Sequence, residues 1–319
     1  MRGEKWVLGI DVGGTRIKSG LINDTGECRD FKSIPTAMDK EPSAVLSQLT
    51  DLIQDYQDNL PDIAGVGLAL PGSVNDREGV CLYCPNLRWR DVPLSQKYSQ
   101  AVDLPVRLLN DANAACLGEY FYGKNRNAQT LLCITLGTGV GSGLIFKRRL
   151  FVGSGSGMEA GHMVIDPNGP PCACGSKGCW ETYVSANAVV RRCQGQMDAG
   201  LSTILKKWLQ NGDSPLTAEL IFKAYRLKDP LAQRIVLETK EYLALGLANL
   251  VNLFNLSVIV LTGGLAEAGP DLLEGLAEKM EPYTYPPLRG SVRLEYSILG
   301  PRAGVLGVAS LWHKEMEWI

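Results

Sequence analysis

Apolar residues along this chain fall into short unbroken runs that end in glycine, and only later take on helical spacing. Two such runs flank Asp11-Val12-Gly13-Gly14-Thr15 within residues 6–22, which predicts strand, tight turn and strand. Residues 42–59 place Val45, Leu49, Leu52, Ile53 and Tyr56 at steps of 4, 3, 1 and 3, one apolar face of a helix. The run from Ile63 to Leu70 reads as a buried strand entering a turn at Pro71-Gly72. Residues 106–109 read as another, ending at Asn110-Asp111, with good helix material from Ala112 to Glu119. Residues 131–146 repeat the opening design: apolar strand, a turn holding Gly137, Thr138, Gly139 and Gly141, apolar strand. The two turns lie about 125 residues apart, which suggests related halves facing one ligand. Helical spacing then dominates at 201–211, 217–227 and 230–255, the last mostly apolar towards its end and so expected to be buried. A strand over 257–261 runs into Thr262-Gly263-Gly264, a helix is expected from about Pro270, a strand over 292–297, and an apolar helix to about Trp312.

Composition narrows the classes. A chain of 319 residues with 45% hydrophobic and 21% charged residues can bury about two cores. A formal net charge of −2 leaves no electrostatic footprint for nucleic acid or a membrane surface. The apolar run that ends at Asp11 is too short for a signal peptide, and no stretch is long enough to span a bilayer. Nine cysteines are an odd count that favours a reducing cytoplasm over a disulfide framework.

The most specific chemistry lies in Glu159-Ala-Gly-His162 and the following Pro171-Cys-Ala-Cys-Gly-Ser-Lys-Gly-Cys-Trp-Glu181. From His162, the cysteines follow at +10 (Cys172), +2 (Cys174) and +5 (Cys179). One imidazole and three thiolates complete a tetrahedral zinc set with no open position, so the metal would be structural. It would pin Glu159, His162 and Glu181 near one another. The bland alternative is cysteines close together by chance. Gly13 and Gly14 allow close backbone approach to a ligand, with Thr15 and Lys18 following, although a Gly-Gly turn is as often a plain hairpin. Asp111 stands at a strand's carboxyl end before a helix, where α/β folds place chemistry, but the same position suits a simple helix cap. Cys81 and Cys84 form a CxxC without a following helix start, so a redox role is discounted; Asn86, in a proline-bounded loop, is the better ligand contact. No glycine turn carries the Lys-Ser/Thr of a Walker loop. Together the glycine turns, the Asn-Asp pair and the zinc-ordered carboxylates suggest phosphoryl transfer to a polar small molecule, with Asp111 as its base.

On these motifs the chain resembles the ROK sugar kinases (repressor, open reading frame, kinase). The resemblance covers nearly the whole sequence. Asp11-Val-Gly-Gly-Thr15 and Gly137-Thr-Gly-Val-Gly141 match the family's two phosphate loops, and Gly263-Gly264 its adenosine-side turn. Gly67 to Gly72 and Pro85-Asn86-Leu87 match its sugar-side loops, Asn110 to Glu119 its catalytic block, and Glu159 to Glu181 its signature and zinc site. The resemblance implies an α/β, two-domain hexokinase/actin-like ATPase (ribonuclease H-like) fold with an interdomain cleft. The small domain would comprise 1–115 with 299–319, and the large domain 116–298. It implies ATP-dependent phosphorylation of a hexose at its primary hydroxyl, with glucose the default. N-acetylmannosamine, N-acetylglucosamine, fructose or allose are the alternatives. Asp111 would take the proton. Gly72, Asn86, Asn110, Glu159, His162 and Glu181 would bind the sugar, His162 with the ring nitrogen that zinc leaves over. Asp11, Gly13, Gly14, Thr15, Lys18, Gly137, Thr138, Gly139, Gly141, Gly263 and Gly264 would bind ATP, with Mg²⁺ near Asp11. A cytoplasmic homodimer or homotetramer is implied.

Met158 departs from the glycine usual before the signature glutamate, and the run Gly153–Gly157 is short; both bear on sugar preference. ATP or polyphosphate could be the donor. A transcriptional regulator would need a helix-turn-helix ahead of Asp11, where ten residues stand. A sensor without catalysis is disfavoured by the joint presence of Asp111, both phosphate loops and four zinc ligands.

Overall fold

The computed structural model describes residues 5–37, 42–60, 62–210 and 215–314. Residue 211, the expected end of one helix, lies outside them. The chain divides into two compact units, residues 1–133, 143–158 and 297–319, and residues 134–142 and 159–296.

The first unit opens with an antiparallel meander, β1 (Trp6–Val12), β2 (Arg16–Ile22) and β3 (Cys28–Pro35). Helix α1 (Pro42–Asn59) leads to β4 (Ile63–Leu70), which pairs parallel with β1. A small sheet of β5 (Ser73–Asn75), β6 (Val80–Cys84) and β7 (Trp89–Val92) follows, then α2 (Leu94–Val102). Next, β8 (Val106–Asn110) pairs parallel with β4 and runs directly into α3 (Asp111–Tyr122). Val45, Leu49, Ile53 and Tyr56 of α1 are buried against β1 and β4, as their spacing predicts.

A second sheet then begins with β9 (Thr130–Leu136), β10 (Val140–Phe146) and β11 (Arg149–Leu150). The loop that carries His162 and the three cysteines precedes a helical run: α4 (Glu181–Val184), α5 (Ala186–Asp198), α6 (Ile204–Gln210), α7 (Ala218–Arg226) and α8 (Pro230–Phe254). Asp229 caps α8 by accepting from the Ala232 N–H at 3.0 Å, Pro230 fits its first turn, and Leu243, Leu247, Leu250 and Val251 are buried. Strand β12 (Val258–Thr262) is followed by short α9 (Gly264–Ala268) and α10 (Leu276–Met280), then β13 (Arg293–Tyr296) and α11 (Ala303–His313). The single helix expected from Pro270 is instead a 3₁₀ turn over Pro270–Leu273 and then α10. Gly275, at φ +67°, interrupts the segment between them.

The two five-stranded sheets run β3-β2-β1-β4-β8 and β11-β10-β9-β12-β13. Each is a hairpin with a third strand on one side and two later strands on the other, so the duplication suggested by the glycine turns is a duplication of sheet topology. The architecture is α/β, built on two mixed five-stranded sheets. Among the described residues no helix is long and apolar enough to cross a membrane.

Helix α11 returns the chain to the first unit and packs on β1, β4 and α3. Its approach to α3 is close enough to require glycine on both sides. A Cβ on Gly118 would lie 2.2 Å from the Ala303 carbonyl oxygen, and one on Gly307 would lie 1.6 Å from that of Ala114. The consequence is functional, because Asp111 is the first residue of α3 and Asp11 is the penultimate residue of β1.

Candidate functional site

Within the first unit, the Gly13 N–H donates to the Arg16 carbonyl at 3.0 Å and the Thr36 hydroxyl donates to the Gly13 carbonyl at 2.8 Å. These bonds shape the first glycine turn and leave the N–H groups of Gly14 and Thr15 without a bond among the described residues. Asp11 and Lys18 are register partners on β1 and β2, and their side chains pair at 3.2 Å. Behind Asp11 stands Gly304, in the first turn of α11, where a Cβ would come within 2.9 Å of the Asp11 carboxyl carbon. The carboxylate thus rests at a helix N-terminus, which favours negative charge. Asn86 approaches the same turn: its Nδ2 is 4.0 Å from the position a Cβ on Gly14 would take.

Asn110, not Asp111, is the N-cap of α3. Its Oδ1 accepts from the Asn113 N–H at 3.0 Å and its Nδ2 donates to the Gly72 carbonyl at 3.0 Å. The cap reading weighed for Asp111 therefore belongs to its neighbour. Asp111 occupies the first helical position, half-buried, with Oδ1 accepting from the Ala112 N–H at 2.8 Å. Asn110 ties together two other expected sugar-side residues, since it fixes the Gly72 turn and the start of the helix that carries Asp111. Ser73, next to Gly72, shares a hydroxyl hydrogen bond with Ser156 in the glycine run. Met158, which follows that run, adopts φ +66°, a left-handed conformation that costs a residue with a side chain about 1–2 kcal/mol. This is the backbone that glycine adopts freely, so the Met158 departure noted in the sequence has a conformational cost.

In the second unit the ligand atoms of His162, Cys172, Cys174 and Cys179 all lie within 4.8 Å of one another. Cys172 Sγ is 3.7 Å from His162 Nδ1, and Cys174 Sγ is 3.7 Å from Cys179 Sγ. Zn–S bonds of about 2.3 Å and a Zn–N bond of about 2.0 Å set tetrahedral edges of about 3.8 Å (S···S) and about 3.5 Å (N···S). The donor set is consistent with a zinc site, and Nδ1 is the ring nitrogen turned towards it. The loop is anchored by Trp180, fully buried, whose backbone N–H donates to the Met163 carbonyl and whose indole N–H donates to the Tyr242 carbonyl on α8, both at 2.8 Å. Partial desolvation of its carboxyl raises the pKa of Glu159, a residue that is otherwise exposed; His162 opposes this and Glu181 adds to it.

The second glycine turn is joined to that loop. Glu181 Oε2 accepts from the Val140 N–H at 3.1 Å, while Oε1 lies 3.4 Å from Cys172 Sγ and 3.9 Å from His162 Nδ1. Gly139 admits this carboxylate: a Cβ there would sit 2.6 Å from Glu181 Oε2. The Ala160 N–H donates to Ser142 Oγ at 3.1 Å and the Ala186 N–H to the Gly137 carbonyl at 2.8 Å. As in the first turn, two N–H groups, those of Thr138 and Gly139, have no bond among the described residues. Gly263 packs its turn against the Leu136 carbonyl at the end of β9. Each unit therefore assembles its own share of the expected residues. Gly304, Ser142, Ser73 and Ser156 were not among those singled out. Two of them offered some signal in the sequence: Gly304, a glycine in the Gly300–Gly304 stretch, and Ser156, inside the Gly153–Gly157 run.

Comparison with known proteins supplies context for these two assemblies. The sequence model of the ROK family matches residues 7–315. The chain is 34% identical over 311 residues to a glucokinase of Halalkalibacterium halodurans, covering 95% of this chain and 94% of that protein. It is 30% identical over 309 residues to the xylose repressor of Bacillus subtilis, covering 95% of this chain and 76% of the repressor. Among solved structures it is similar to a ROK family glucokinase from Streptomyces griseus in complex with glucose and AMPPNP. The TM-score is 0.85 at 32% identity, with 96% of this chain and 98% of that one covered.

Proposed function

This chain belongs to the ROK family, and from that premise we propose that it transfers the γ-phosphoryl group of ATP to the primary hydroxyl of a hexose, glucose first. The acceptor oxygen forms a bond to the γ-phosphorus, the bond to the ADP oxygen breaks, and the hydroxyl proton passes to the Asp111 carboxylate. The observation that carries this reading is the near full-length similarity to a glucokinase bound to glucose and an ATP analogue.

The residues divide the work. Asp111 is the general base, at the first position of a helix whose cap is Asn110. Asn110 acts by orientation: its two amide bonds hold Gly72 and the helix start together, and such positioning accounts for much of phosphoryl-transfer catalysis. Asn86, Glu159, His162 and Glu181 offer hydrogen bonds to the remaining hydroxyls. The N–H groups of Gly14, Thr15, Thr138 and Gly139 cradle phosphates, with Gly263-Gly264 on the adenosine side. Asp11 is assigned to the Mg²⁺ that accompanies ATP, and Lys18 to charge neutralisation beside it. Zinc at His162, Cys172, Cys174 and Cys179 orders the loop, since four protein donors leave no position for a substrate. We place the enzyme in the cytoplasm, where thiolate ligands stay reduced.

The test is a coupled ADP-release assay with purified protein over a panel of aldoses, ketoses and N-acetylhexosamines. Glucose is expected to give the highest kcat/KM. Turnover on none of them would refute the kinase reading, and a different preferred sugar would correct only the acceptor.

A further inference from the structure

The Glu181 side chain touches both the zinc cluster and the second glycine turn. One carboxylate oxygen accepts from the Val140 N–H at 3.1 Å. The other lies 3.4 Å from Cys172 Sγ and 3.9 Å from His162 Nδ1. The turn side makes room for this contact, because position 139 is glycine: a Cβ there would lie 2.6 Å from Glu181 Oε2 and would push the carboxylate off the Val140 N–H. Further contacts tie the same two segments. The Ala160 N–H donates to Ser142 Oγ at 3.1 Å, and Gly161 rests on the Val140 carbonyl, where a Cβ would approach to 2.2 Å. Neither segment can shift without the other.

We propose that Glu181 is a positioning residue that links metal and nucleotide binding, so that occupancy of the His162/Cys172/Cys174/Cys179 site sets the affinity of the Gly137–Gly141 turn for ATP. This rests on reading that turn as a phosphate loop. The physical reason is that metal ligation and loop order are coupled, and the ordered loop is what presents Glu181 to Val140. Without the metal, the carboxylate that fixes the turn is no longer held, and the Thr138 and Gly139 N–H groups lose their fixed aim. Such a linkage is reciprocal: whatever disturbs the turn must also loosen the metal.

The experiment uses the full-length protein without sugar, so that any sugar contact of Glu181 does not enter. Binding of a non-hydrolysable ATP analogue with Mg²⁺ is measured by calorimetry on zinc-loaded protein and on protein stripped by a chelator. Stripping is expected to weaken binding at least tenfold, and added zinc to restore it. Glu181→Ala in the zinc-loaded protein should weaken it similarly. Glu181→Gln keeps an oxygen for the Val140 N–H and should recover most of the affinity. The reciprocal arm follows zinc release to a chromophoric chelator. Gly139→Ala, which touches no metal ligand, should release zinc at least fivefold faster. Gly137→Ala should not, since nothing lies within 4 Å of a Cβ there. Equal analogue affinity with and without zinc, or unchanged zinc release in Gly139→Ala, overturns the linkage while leaving the kinase reading intact. If the zinc-loaded protein binds no analogue, the phosphate-loop reading falls as well.

Discussion

Replacing glycine by alanine inside a helix should help or harm this protein depending on what stands opposite, and two positions make the contrast measurable. At Gly307, in α11, the added Cβ would lie 1.6 Å from the Ala114 carbonyl oxygen and 2.7 Å from the Gly118 backbone nitrogen. Carbon contacts are comfortable at about 3.5–4.0 Å, so the shortfall is roughly 2 Å, and it is met by helix backbone rather than by a flexible side chain. Overpacking typically costs about 1–3 kcal/mol, and an obstruction of this kind belongs at or beyond the top of that range. At about 2–4 °C per kcal/mol for a body of 150–250 residues, Gly307→Ala should lower Tm by roughly 6–12 °C. Gly195, exposed on α5, has nothing within 4 Å of a Cβ. There alanine gains about 0.5–1 kcal/mol of helix propensity and should raise Tm by roughly 1–4 °C. Relief of the clash at Gly307 requires α3 and α11 to separate, which moves Asp111 at one helix start and Gly304, packed on Asp11, at the other. A displacement of about 1 Å can cost on the order of a hundredfold in rate, so kcat of Gly307→Ala should fall well below wild type even far under its melting temperature. Thermal melts at one scan rate and initial rates at 15 °C below the variant's Tm test both statements. A Gly307→Ala protein that melts within 2 °C of wild type, or shifts in the same direction as Gly195→Ala, would refute the packing argument.

Asp111→Asn should reduce turnover by about 10²–10⁴-fold while sugar binding, read by intrinsic fluorescence, changes little; near-normal turnover would remove Asp111 from the base role. Met158→Gly exchanges a left-handed strain of about 1–2 kcal/mol for a glycine chain-entropy cost of about 0.5–1 kcal/mol, so Tm should hold or rise slightly, and a fall of more than 3 °C would show that the side chain's contacts outweigh the strain. His313 is held neutral by burial, which pulls its pKa below the ordinary 6.5, and its Nε2–H donates to the Ile22 carbonyl at 3.1 Å. A depressed folded-state pKa means that this contribution is present above pH 6.5 and is lost as pH falls through the lower folded value. His313→Gln should therefore flatten the acid side of a Tm-versus-pH curve; an unchanged slope below pH 6.5 would exclude this histidine as its source.

Much of the framework was legible in the order of residues because it depends on local rules. Unbroken apolar runs on either side of Gly13-Gly14 and Gly137–Gly141 predicted two hairpins, and both formed, since a short turn leaves adjacent strands little choice of partner. The His-Cys-Cys-Cys spacing predicted one cluster, and its four donors converge because few residues separate them within a tight loop. The helix expected from Pro270 was not borne out. Proline marks a helix start without guaranteeing propagation, and Gly275 ends the 3₁₀ turn before a second turn of α-helix can form.

What the sequence determined by itself, then, was the inventory: which turns, which donors, which carboxylate beside which cap-forming asparagine. It could not divide the roles of Asn110 and Asp111, because cap and first helical residue differ only in backbone dihedrals, and those are set once β8 is locked onto β4. Nor could it bring Glu181 to Val140, 41 residues upstream, or Gly304 to Asp11, nearly the length of the chain away. Those contacts carry no periodicity and no local signature. They exist because parallel strand pairing and close helix packing bring distant backbone within a Cβ's radius, and only the folded structure shows where a missing side chain is the feature that matters.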